Sequence, residues 1–301
     1  MVKIAYHPLY AHPLPEGHRF PMLKYELIPA QLLHEGIITA VNLFEPEQLA
    51  ESTLLLAHEL DYWKQVRDLT LPEREQRRIG FPLNAQLLER ELRIAQGTID
   101  GAFFAAEHRI AFNVAGGTHH AGSDWGEGFC ILNDQAIAAK YLLANKIYQR
   151  ILIIDLDVHQ GNGTAEILQD EPEIFTFSMH GEKNFPFRKE VSDLDIGLDV
   201  GVEDEEYLSI LASTLPQLYE QHRPQFIFYL AGVDVLSSDK LGKLALTKEG
   251  CKERDRLVFQ FCKDHQLPVQ VSMGGGYSPE IRDIVDAHCH TFKIGIDILG
   301  D

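Results

Sequence analysis

The chain has 301 residues, 45% of them hydrophobic, and a formal net charge of −18. That charge argues against nucleic acid and anionic lipid as partners and favours cationic ones. No run of about 18 apolar residues offers a membrane span.

The N-terminal "MVKIAYHPLY" lacks the basic and apolar regions of a signal peptide, and Cys130, Cys251, Cys262 and Cys289 form no CxxC pair, so a reducing cytoplasm is expected. No linker, repeat or low-complexity stretch breaks the chain, which predicts one domain over 1–301.

Strand-like runs recur along it. "KIAYH" (3–7) is the first. "HRIAFNV" (108–114) precedes the polar loop "AGGTHHAGSDWGEGF", and "NDQAIAAKYLLANK" (133–146) then has helical spacing, with Asn133 or Asp134 as its cap. "RILIIDLD" (150–157) leads into "HQGNG", and "IFTFSMH" (174–180) follows. "QFIFYLAGVD" (225–234) comes before a second helical stretch (247–265) that Thr247 would cap. "PVQVSMGGGY" (268–277) and "FKIGID" (292–297) close the series. Continuous apolar strands alternating with helices predict an α/β fold, a mostly parallel sheet with helices on both faces. Its ligands belong in the crevice beyond the carboxyl ends of the strands, where the polar and glycine-rich loops fall.

"IIDLDVHQGNG" carries the strongest chemistry. Asp155 and Asp157 sit two apart at the end of a buried strand and so project together. Two buried carboxylates cost several kcal/mol each unless compensated, and a cation compensates both. Asp157, His159 and Asp234 from "LAGVDVL" give an Asp-His-Asp set that leaves a fourth position open, as catalytic zinc sites require. A lone aspartate after a strand is more often a cap, but the combination is more specific. His119 and His120, between glycine pairs, suit proton transfer near neutral pH, with Asp155 and Asn162 as candidate second partners. Tyr277, ending "GGGY", would donate to a developing oxyanion. Other clusters read as structural: "AHCH" (287–290) has no second half, His7, His12 and His18 are loop residues, and "EREQRR" (73–78) is a solvated charged face.

Taken together, "PEGHRFPMLKY", "NVAGGTHHA", "GEGFCILND", "DLDVHQGNGT", "LAGVDVL" and "MGGGYS" resemble, in order, the histone deacetylase family, whose fold is shared with arginase. "EGHRFPM" and "RRIGFP" look most like its class IV branch and bacterial relatives. The resemblance implies zinc, or ferrous iron, on Asp157, His159 and Asp234. It implies His120 as general base and then acid, His119 as an electrostatic partner oriented by Asp155, and Asn162 as the residue orienting His120. Gly128, Phe129, Leu241 and Gly275 would contact the acyl-amine chain, and Arg19 would line an inner acetate channel. A potassium ion is implied near Asp155, Asp157, His159, Ser178 and Met179. The activity implied is a metal-dependent deacylase of acyl-lysine in proteins. An acetylpolyamine or another small amide is the alternative substrate, and an acyl-binding scaffold the non-enzymatic one. Arginase-like binuclear chemistry would need a second D-x-D, which "GVDVL" does not supply, so one metal is expected. Many relatives have Asp in place of Asn162 and His in place of Gln160, which predicts a lower pKa for His120. Phe185 and Phe187 both remain candidates for the second aromatic wall.

Overall fold

The computed structural model of the chain describes residues 1–300. In chain order it contains β1 (Lys3–Ala5), α1 (Lys24–His34), β2 (Leu43–Phe44), α2 (Glu51–Leu54), α3 (Leu60–Arg67), α4 (Glu73–Ile79), α5 (Ala85–His108) and β3 (Ile110–Asn113). Then follow α6 (Asp134–Ala144), β4 (Ile151–Asp155), α7 (Asn162–Leu168), β5 (Ile174–Gly181), β6 (Leu194–Leu198), α8 (Asp204–His222), β7 (Phe226–Leu230), α9 (Lys248–Asp264), β8 (Val269–Ser272) and α10 (Ile281–Leu299). Among the described residues the strands form one eight-stranded sheet in the order β2-β1-β3-β8-β7-β4-β5-β6. Every pairing in it is parallel.

The central strands are buried on both faces, and β3 shows how. Gly295 of α10 approaches Ile110 and Phe112, while the alternate residue Asn113 donates from Nδ2 to the carbonyl of Ile94 on α5. Helices therefore cover both sides, and the continuous apolar runs follow from that. The expected caps are present: Asn133 accepts from the Ala136 N–H at 3.0 Å and Thr247 from the Gly250 N–H at 3.0 Å.

Two expectations fail. "FKIGID" (292–297) is not a strand but part of α10, where Lys293 and Asp297 pair at i,i+4 on the exposed side while Phe292, Ile294 and Leu299 are buried. A short apolar run rich in Ile does not by itself separate a strand from a buried helical turn. The edge strands β2 and β6 also lie outside the predicted set. β2 has two residues, and β6 alternates between half-buried and exposed positions up to its last residue, with Asp195 as its second, so neither has the continuous apolar signature.

One buried pair links fold to site. Arg254, fully enclosed on α9, pairs with Asp255 at 2.7 Å and donates to the Gly232 carbonyl at 2.5 Å. Asp255 also accepts from the hydroxyls of Tyr229 and Thr291, at 2.6 Å each. The turn leaving β7 is thereby fastened from behind, just before Asp234.

Candidate active site

Asn113, Ser272, Leu230 and Asp155 are successive register partners across β3, β8, β7 and β4. Four central strands therefore end in one row, and their loops leave from the same level: 114–120, 273–277, 231–236 and 156–162. These carry His119 and His120, Gly275 and Tyr277, Asp234, and Asp157 with His159.

Each loop is held. Asp134, at the start of α6, accepts from the Thr118 backbone and hydroxyl at 2.8 Å each, from Thr98 at 2.7 Å and from Ser272 at 3.1 Å. Asn133 donates to the Ala121 carbonyl at 3.1 Å. Between them these bonds bracket the two histidines. The Asp157 carboxylate accepts the Gly275 N–H at 2.7 Å, joining the β4 and β8 loops. A Cβ on Gly275 would stand 2.0 Å from Asp234 Oδ2, so only glycine lets the backbone approach there. Gly275 thus lines the inner cavity against the acidic residues.

Asp157, His159 and Asp234 are buried and bring one ligand atom each to within 4.8 Å of the others. His159 Nδ1 lies 3.0 Å from Asp157 Oδ1 and 3.1 Å from Asp234 Oδ2. Ligand atoms on a tetrahedral ion at about 2.0–2.1 Å stand about 3.3 Å apart, so this spacing fits one. Asp234 Oδ2 is buried with no hydrogen bond, an unsatisfied acceptor aimed into the cluster. Burial, and then the Asp157 charge, push the Asp234 carboxyl up to about 7. Carboxylates so crowded are what a cation neutralises. The set fits a divalent metal ion, and it is the single such cluster among the described residues.

The two histidines are set apart by their partners. His119 Nδ1 donates to Asp155 Oδ2 at 2.7 Å. Burial opposes its charge, but the Asp155 and Asp157 carboxylates outweigh that and hold its pKa above the usual value. His120 Nδ1 pairs with Asn162 Oδ1 at 2.7 Å. Burial, followed by the neighbouring His119 and His159, puts its pKa well below the usual value. The Asn162 hydrogen bond acts in the opposite direction, raising it, so the lowering comes from burial and the neighbouring imidazoles.

The orientation of Asn162 settles a tautomer. Its Nδ2 donates to Glu127 Oε1 at 2.6 Å, and Glu127 Oε2 accepts from Arg78 Nε at 2.5 Å. A carboxylate cannot donate, so the amide must present its oxygen to His120. His120 Nδ1 therefore carries the proton and Nε2 keeps its lone pair. Asn162→Asp would set a second carboxylate against Glu127. It is expected to lower turnover about tenfold, with Glu127→Gln in the same chain restoring most of it, since 1.4 kcal/mol of misorientation suffices. Steady-state kcat of the single and double variants checks this.

Beyond His120 lies a cavity of about 310 Å³ lined by Phe129, Phe185, Leu241 and Tyr277 among others. Gly128 and Phe129 both have positive φ, +57° and +69°, a backbone region that disfavours a bulky residue such as Phe129. Their N–H groups are tied to the carbonyls of Arg78 and Ile79 at the end of α4, at 3.2 and 2.7 Å. "EREQRR" is therefore more than a solvated face: Glu73 and Arg77 are exposed, but Arg78 braces the site through side chain and backbone. Phe185, its ring 5.0 Å from His120, lines the cavity with Phe129, whereas Phe187 is 88% exposed at the rim. Gln160 donates to the Glu190 carbonyl and Asp195, and so anchors the far end of the Phe185 loop.

Arg19 is not in an inner channel. It is exposed at the mouth, its guanidinium 5.0 Å from the centre of the Phe129 ring, because Phe20 takes the inward position. The inner cavity is lined by another arginine, Arg90 on α5, which is buried beside Glu91 and donates to the Tyr10 carbonyl at 2.7 Å. Ser178 and Asp155 are register partners on β5 and β4, with Met179 next, all buried. Sequence reasoning also passed over Lys24. It is fully buried, donates to the Gly274 carbonyl at 3.2 Å and lies 5.7 Å from the Tyr277 ring centre; burial lowers its pKa to about 8. A lysine amid "FPMLKYEL" was the available signal.

Residues 18–292 match the profile of the histone deacetylase domain. The chain belongs to the histone deacetylase family. It is 48% identical over 295 residues, 98% of each chain, to an uncharacterized protein of Picosynechococcus sp.. To histone deacetylase 2 of Arabidopsis thaliana it is 28% identical, covering 86% of this chain and 70% of that one. To histone deacetylase 1 of rice it is 30% identical, over 93% of this chain but 56% of that one. Among solved structures, a histone deacetylase homolog complexed with SAHA superposes with a TM-score of 0.81 at 25% identity, over 97% and 82% of the two chains. The homolog from Aquifex aeolicus, at 23% identity, has the same score and fold. The arginase/deacetylase fold and a deacetylase-type amidohydrolase activity follow from this membership.

Proposed function

We propose that this family member is a metal-dependent hydrolase that removes the acyl group from an acylated lysine. The observation that carries this reading is the orphaned Asp234 Oδ2. It faces His159 Nδ1 and Asp157 in a buried cluster, with the His120 ring 5.8 Å from that of His159. Asp157, His159 and Asp234 would hold zinc, or ferrous iron, whose donor preferences the set also suits. A divalent ion bound there polarises an amide carbonyl and acidifies water.

The chain's own residues supply the rest. Phe129 and Phe185 flank the acyl-amine stem and exclude solvent. His120 Nε2 accepts the proton of the attacking water, then returns it to the nitrogen as the amine leaves. His119, oriented by its bond to Asp155, plays an electrostatic part next to it. Tyr277, whose hydroxyl is kept protonated by burial and then by the Asp234 and Asp157 charges, donates to the oxyanion. The potassium expectation belongs to the same reading, at Asp155, Ser178 and Met179.

The test is turnover of peptides carrying acetyl-lysine and longer acyl-lysines, with zinc and with ferrous iron added. Release of the carboxylate in the metal-loaded protein is expected. Tyr277→Phe should lower kcat about 100- to 1,000-fold, the usual cost of one oxyanion donor. Unchanged kcat would remove Tyr277 from that role, and no turnover of any acyl amide would remove the reading.

A further inference from the structure

The surface charge at the tunnel mouth is opposite to that of the whole chain. Arg19, Arg78, Lys183 and Lys243 all line the outer cavity, and no carboxylate does, although the chain carries 45 acidic against 27 basic residues. Arg78 is partly neutralised by Glu127. The other three have no ion-pair partner among the described residues. Arg19 lies over Phe129, and Lys243 Nζ donates only to the Lys183 carbonyl, at 2.7 Å. The one carboxylate adjacent in sequence to these lysines, Glu182, packs over Gly197 on β6.

The loops that carry the two lysines are tied together. The Lys243–Lys183 bond joins the loops that carry them, and Asn184 Nδ2 donates to the Leu241 carbonyl at 2.7 Å across the same seam. A cluster of like charges around a narrow opening repels cations and attracts anions, and a low-dielectric cleft focuses that field. An acyl group that reaches past Phe129 leaves the amine's own scaffold at this rim.

We infer that the preferred substrate is an acylated amine whose scaffold carries a carboxylate close to the amine, and that basic tails and polyamines are disfavoured. This rests on the amidohydrolase reading above and narrows its substrate. The net charge of −18 alone points to cationic substrates; the field at the opening opposes that. The same chemistry comes from two sources, an acyl-lysine flanked by Asp or Glu in a protein, or a free Nε-acyl amino acid with its own carboxylate.

The experiment compares kcat/KM at low salt for acetyl-lysine peptides flanked by Asp, Ala or Lys, for free Nε-acetyl-lysine and for acetylspermidine. The acidic peptide should exceed the basic one about tenfold or more, with acetylspermidine poorest, and the difference should shrink in salt. Good turnover of the free amino acid beside the acidic peptide places the recognised carboxylate on the lysine itself; turnover of the peptide alone places it on the flanks. Lys183→Glu, at a residue whose side chain makes no hydrogen bond across the seam, should weaken or abolish the order through a lower kcat/KM for the acidic peptide. A charge-independent or reversed order in the unaltered protein would overturn the inference.

Binding of the same peptides with a methyl ketone in place of the acetamide, followed by fluorescence anisotropy, separates the two readings. Tighter binding of the acidic ketone without turnover of any amide keeps the rim and removes the hydrolase. Turnover without charge preference does the reverse.

Discussion

Replacing His120 with alanine is expected to lower kcat on an acylated lysine by about 100- to 10,000-fold, the usual contribution of a positioned acid–base group, with KM little changed. The two adjacent histidines are not equivalent. His119 Nδ1 is bound to a carboxylate; burial opposes its charge, but Asp155 and Asp157 hold its pKa above the usual value, so of the two it is the poorer acceptor of a proton. His120 is bound to a neutral amide oxygen and kept neutral by burial, so its Nε2 can accept one. Environments that push two neighbouring titratable groups apart assign their roles. The variant should fold, because His120 borders the cavity rather than the main core, and a melting curve checks that. A kcat within a few-fold of the parent would transfer the role to His119 and contradict the Asn162–Glu127 argument for the tautomer.

Much of this site was legible in the sequence, for a physical reason. Apolar strand, then polar loop, repeats four times, and parallel strands with helices between them must place such loops at one edge. Asp157, His159, Asp234, His120 and Tyr277 meet because β3, β8, β7 and β4 are neighbours in register. What was not legible depends on contacts between distant segments. Glu127 stood inside a quoted motif, yet its bond to Asn162 exists only because α4 presents Arg78 to fix it. Phe185 and Phe187 are equivalent in one dimension; their loop turns one to the cavity and one to solvent. Arg19 and Arg90 are exchanged for a similar reason, since Phe20 occupies the inward position beside Phe129, with ring centres 5.1 Å apart. The edge strand β6 was hidden because an exposed edge has no need of continuous apolar sequence.

The second large effect concerns the metal ion. Asp234→Asn is nearly isosteric, and its remaining oxygen can still accept the Val158 N–H that now binds Oδ1 at 3.0 Å. The loop should therefore keep its path. The amide nitrogen then takes the place of Oδ2, directing its protons at the position where a cation would sit. Activity should fall to background, and metal analysis should find less than stoichiometric zinc or iron after dialysis. Stability separates this from simple damage. In the metal-free protein, burial and then the Asp157 charge push the Asp234 carboxyl up to about 7, against which stands only its approach to His159, so removing its charge should cost little and the variant should melt close to the parent. Added zinc at a hundred times its dissociation constant should stabilise the parent by about 2.7 kcal/mol, a shift of several degrees, and leave the variant unmoved. Equal zinc stabilisation of both proteins would mean that the ion is held elsewhere. A variant that melts far below the metal-free parent would mean that Asp234 supports the fold rather than a ligand. Only a carboxylate kept there to bind a cation gives both results, unaltered stability without metal and none of the gain with it.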